Sequence, residues 1–86
     1  MVVIRALADL PQGCIYVMTA TDAIALAARA LISMGRADIT IVTPLFLDEE
    51  SLAQLPTRRP IVVAPGVRLE PEQQKVLEWY RGTAAA

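Results

Sequence analysis

Histidine is absent from this chain of 86 residues. Without it there is no imidazole to act as general base, to shuttle a proton or to bind a metal. The single cysteine, Cys14, has no internal disulfide partner, and one thiol without histidines cannot build a metal cage. Cys14 opens an apolar run, where cysteine behaves as a small hydrophobe. An excess of charge of either sign is also lacking: eight Lys and Arg against nine Asp and Glu give a net charge of −1. That removes the electrostatic attraction on which nonspecific nucleic-acid and membrane-surface binding depends. The four glycines stand at 13, 35, 66 and 82, and no phosphate-cradling glycine loop can be drawn through them. The longest apolar stretch, residues 23–34, contains Arg29 and falls short of the roughly 20 residues a membrane span needs. Arg5 is not followed by an apolar segment and a small-residue cleavage site, so no secretory signal is visible, and the expected compartment is the cytoplasm.

Aliphatic side chains are abundant. Hydrophobic residues make up 55% of the chain and aromatic ones only 5%. A domain this small has much surface to cover with polar groups, so such an apolar composition implies that some of it is buried against a neighbour. The expected unit is one domain spanning residues 1–86, acting as a homo-oligomer or as a subunit.

The chain alternates strand-like and helix-like segments. Residues 2–7 read as a short strand and residues 8–13 as a turn or loop. The continuous apolar run at residues 14–18 has the pattern of a strand buried on both faces, hence a central one. An Ala- and Leu-rich helix follows, N-capped by Thr21 or Asp22 and closed by Gly35 at its C′ position. Its predicted buried arc is broad and takes in Ala27, Ala28, Leu31, Ile32 and Met34, with Asp22, Arg29, Ser33 and Arg36 on a narrow outer stripe. Residues 39–43 form the next strand, reached by a parallel crossover. A short acidic-headed helix over residues 48–55, a third apolar strand at 61–64 and a helix from Pro71 to Gly82 complete the chain, with residues 83–86 expected to fray. The expected fold is therefore α/β, with two or three layers and a mainly parallel four-stranded sheet in the order β-β-α-β-α-β-α. It resembles small flavodoxin-like or other doubly wound domains, an analogy of fold that carries no function.

Two sets of residues are candidates for a site. In an open parallel sheet, ligands bind where the strands end. There the chain places Thr19, Thr21, Asp22, Thr43 and Gly66, which offer hydroxyls, a carboxylate and close-approaching backbone; the same residue types also serve as helix caps and turns. The second set points to a protein partner. Leu45, Phe46 and Leu47 form an apolar loop where polar residues are usual, and Trp79 lies beside the apolar face of the last helix. Arg36, Arg58 and Arg59 gather at the amino end of the sheet, opposite Asp22, Asp48, Glu49, Glu50 and Glu70, so the domain is expected to be bipolar and able to meet an acidic partner. These features describe a non-enzymatic interaction or self-assembling module without metal or cofactor. The alternative is a small-ligand or regulatory domain at the carboxyl ends of the strands.

Overall fold

The computed structural model describes the backbone of residues 7–85 and the side chains of residues 7–82. Three parallel strands form one sheet in the order β2-β1-β3: β1 (Ile15–Val17), β2 (Thr40–Val42) and β3 (Ile61–Val63). Ile15 pairs with Thr40 on one side and Ile61 on the other, and Val17 with Val42 and Val63. Helix α1 (Thr21–Ser33) connects β1 to β2. A single 3₁₀ turn (Pro44–Phe46) and the short helix α2 (Glu49–Ala53) lead to β3, and α3 (Pro71–Ala85) follows. The expected first strand, residues 2–7, lies outside the described residues except for Leu7, which sits in a helical turn and is buried.

The central position of β1 follows from its composition. Alternate side chains of a strand point to opposite faces, and here both faces are apolar. Cys14, Tyr16 and Met18 face α1 and share a core with Leu7, Ala27, Leu31, Ile39 and Ala64. Ile15 and Val17 point the other way and pack with Leu47, Leu52, Ile61, Leu77 and Tyr80 beneath α2 and α3. The architecture is thus three-layered, helix on sheet on helices. Each fully buried aliphatic side chain contributes roughly 1.5–3 kcal/mol, so the two half-cores supply most of the cohesion.

Helix α1 departs from expectation at both its start and its outer face. Its N-cap is Ala20, which offers no side-chain bond, and Thr21 and Asp22 lie inside the first turn. Its buried stripe is narrow: Ala27 and Leu31 are buried, Ala23, Ile24, Ala30 and Met34 pack beside them, and Ile32 is 77% exposed. A straight helix against a sheet buries one stripe of i, i+3, i+4 positions, and Ile32 falls off that stripe. The expected C-terminus holds. Gly35 has φ +73°, its N–H donates to the Ile32 carbonyl at 3.1 Å, and the Arg36 N–H donates to the Leu31 carbonyl at 2.8 Å. This pair of bonds is the Schellman motif, which needs a left-handed residue.

In α2, Asp48 caps the helix by accepting from the Ser51 N–H at 2.8 Å. Pro71 opens α3 as expected, and the helix runs past Gly82 to Ala85 rather than ending there. Ala84 and Ala85, strong helix formers, follow the glycine and carry the helix past it.

Candidate functional site

The strands all begin at one end of the sheet, and there the loop at residues 8–14, the turn at 36–40 and the segment 58–60 come together. Arg36 leaves the Schellman turn and donates to the carbonyls of Ala8 at 3.2 Å, Leu10 at 2.9 Å and Pro11 at 3.3 Å. The same guanidinium grips both carboxylate oxygens of Asp38, at 3.2 and 3.3 Å. Asp38 in turn accepts the Gly13 N–H at 2.7 Å. Arg36 and this N–H hold the Asp38 carboxyl well below the usual range, at about 2. From the other side, Arg59 donates to the carbonyls of Gly13 at 2.7 Å, Cys14 at 3.3 Å and Asp38 at 3.1 Å, and to the Thr40 hydroxyl at 2.8 Å. Arg36, Asp38 and Arg59 therefore form a clasp that ties the starts of all three strands together.

The clasp changes the meaning of two sequence candidates. Arg36 and Arg59 were expected to face an acidic partner, but backbone carbonyls occupy most of their donors. Asp38 was missed by the sequence reading; the only signal for it was an aspartate two residues after an arginine in a helix-ending turn. Cys14 sits inside the same network with no exposed surface. Burial pushes its thiol up, and the nearby arginines offset that only in part. A thiol held protonated is a poor nucleophile.

Arg58 turns outward. Its guanidinium lies 4.3 Å from the centre of the Tyr80 ring and donates to the Tyr80 carbonyl. Tyr80 is locked in place, its hydroxyl accepting the Arg59 N–H and donating to the Arg59 carbonyl, both at 2.9 Å. With Arg59, Pro60, Ile61 and Arg81 these residues line a concavity of about 340 Å³. Arg81, also missed from sequence, donates to the Ile61 carbonyl at 2.8 Å.

At the opposite end of the sheet, Thr19 and Gly66 line a smaller hollow of about 220 Å³ with Met18, Ala20, Ala23 and Ala64 among its walls. Thr21, Asp22 and Thr43 do not line it. Asp22 and Thr21 are exposed on α1, and Thr43 precedes the 3₁₀ turn. The structure thus brings together two of the five residues, around a hollow without a charged side chain.

The apolar loop is divided between core and surface. Leu47 is buried, Phe46 packs partly against the same core, and Leu45 is 83% exposed. Trp79 is 43% exposed. Among the described residues, no group of three or more Cys, Asp or Glu is placed to hold a metal ion, and no helix is long and apolar enough to cross a membrane. Comparison with protein-family models, curated proteins and solved structures finds no match.

Proposed function

We propose that this chain, a small α/β domain of doubly wound style, is a non-enzymatic interaction module that pairs with a second copy of itself along the open edge of β2. The supporting observation is the unequal treatment of the two outer strands. Thr40 donates to Cys14 and Val42 accepts from Met18, so residues 40 and 42 turn their backbone groups toward β1. By alternation, Ile41 turns its N–H and carbonyl outward. On the far side of the sheet the same alternation turns the Ile61 carbonyl outward, and Arg81 occupies it. Among the described residues nothing occupies the equivalent positions of β2.

An unpaired strand edge is a template for another strand, and natural proteins cover or charge the edges they do not use. The edge of β2 is instead flanked by apolar surface. A groove of about 290 Å³ runs between it and α1, lined by Ala28, Leu31, Ile32, Ala37, Ile39 and Ile41 with Arg36 at one end. Exposed Ile32 and Leu26 lie on the same helix. Two such edges brought together about a two-fold axis would pair backbone to backbone and cover both grooves. This reading moves the contact away from Phe46 and Leu47, whose side chains support the core.

Light scattering across micromolar concentrations, with an Ile32→Lys variant, provides the test. Ile32 is too exposed for the lysine to disturb the core, so the variant should keep the wild-type circular dichroism and thermal midpoint. A dimeric wild type and a monomeric variant are expected. A monomeric wild type, or a variant that remains dimeric, overturns the proposal.

A further inference from the structure

We infer that the concavity between Arg58 and Arg81 binds a small phosphate monoester, its phosphate held by the two guanidiniums and its organic body lying on Pro60 and the aliphatic stems of the arginines. The inference goes beyond pairing through β2 and does not depend on it, because the two sites use different strands.

The charge is the first argument. Arg58, Arg59 and Arg81 converge on one hollow, and among the described residues the only ion pair is Arg36 with Asp38. With the Arg59 guanidinium engaged in the clasp, two positive side chains without a carboxylate partner, Arg58 and Arg81, therefore share a small space on a chain whose net charge is −1. Mutual repulsion disfavours such a cluster, and a dianion between the guanidiniums relieves it.

Donor geometry is the second. A guanidinium has five N–H donors in a planar fork that matches the oxygens of a phosphate. Arg58 spends one on the Tyr80 carbonyl and Arg81 one on the Ile61 carbonyl. Those bonds, and the stacking of Arg58 on Tyr80, fix the direction of both side chains while leaving most donors unused. Tyr80 is itself fixed by two bonds to the Arg59 backbone. Side chains ordered before the ligand arrives lower the entropic cost of binding it.

The third argument is shape. At about 340 Å³ the hollow is in the range of small-ligand sites, larger than a bare phosphate requires. Ile61 and Tyr80 are buried and form its floor, while exposed Pro60 and the aliphatic stems of the arginines give it an apolar wall, so the ligand that fits both parts carries an oxyanion on an apolar body.

Isothermal titration of the full chain with phenyl phosphate, inorganic phosphate and benzoate tests the assignment. Phenyl phosphate should bind saturably, more tightly than inorganic phosphate, which lacks the body, and than benzoate, which carries a single charge. Arg58→Gln and Arg81→Gln should each weaken it roughly tenfold, the worth of one charge-assisted bond, while Arg68→Gln, an exposed arginine outside the hollow, should not change it. Thermal unfolding of each variant establishes that it folds. Absence of saturable binding, undiminished binding in both glutamine variants, or benzoate binding as tightly as phenyl phosphate overturns the inference.

Discussion

The two ends of the sheet are held in different ways. At the amino end, side chains bridge segments far apart in sequence: Arg36 reaches back 26 residues to Leu10, Arg59 reaches 46 to Gly13, and Arg81 reaches 20 to Ile61. At the carboxyl end the side-chain hydrogen bonds are local. Asp48 bonds Ser51 three residues on, and Gln73 accepts from the Glu70 N–H at the same spacing. One end is a long-range polar clasp, and the other is a set of turns that each stabilise themselves. Loops at the carboxyl end can therefore change without loosening the sheet, whereas the amino end couples all three strands to a few guanidiniums.

The comparison breaks most directly at Arg59. Arg59→Ala leaves the carbonyls of Gly13 and Asp38 without their side-chain donor and Cys14 with the Thr40 N–H alone, and is expected to lower stability in urea unfolding by about 2–4 kcal/mol. Arg59→Lys should recover little, because a point charge cannot reproduce the fork that reaches four acceptors.

Acid titration gives the next effect. The folded Asp38 carboxyl titrates at about 2, below its ordinary 3.8, so its contribution is complete above the ordinary value and disappears as pH falls through the folded one. Stability followed by circular dichroism should drop between about pH 4 and pH 2. Asp38→Asn should be less stable at neutral pH and flatter across that window.

At the carboxyl end the largest expected loss is a local cap: Asp48→Ala should cost about 1 kcal/mol. Thr43→Val, which removes an exposed hydroxyl that bonds nothing among the described residues, should change stability by less than about 0.5 kcal/mol. A carboxyl-end variant that costs as much as Arg59→Ala would erase the distinction between the ends.

Much of the fold was legible in the sequence because it rests on local rules. The unbroken apolar run around Tyr16 marked the central strand, Gly35 the end of α1, Asp48 the start of α2 and Pro71 the start of α3. The outer face of α1 was not legible, since alanine fits a buried or an exposed position equally and blurs the period that would have placed Leu26 and Ile32 outside. The candidate sites were harder still. Arg36 and Arg59 stood out as charges, but their acceptors are backbone carbonyls of loops brought near only by the sheet, and every residue has a carbonyl. Asp38, Tyr80 and Arg81 acquire their roles through the same convergence, which no spacing along the chain records.

The reach of Arg59 also bears on time. A bond closing a span of 46 residues can form only after β3 has docked beside β1, since the entropy of so long a loop must be met first. Its energy is thus largely missing from the folding barrier and falls on the unfolding side. Arg59→Ala should leave the refolding rate nearly unchanged and speed unfolding in stopped-flow measurements, which makes this arginine a governor of how long the native state lasts once it has formed.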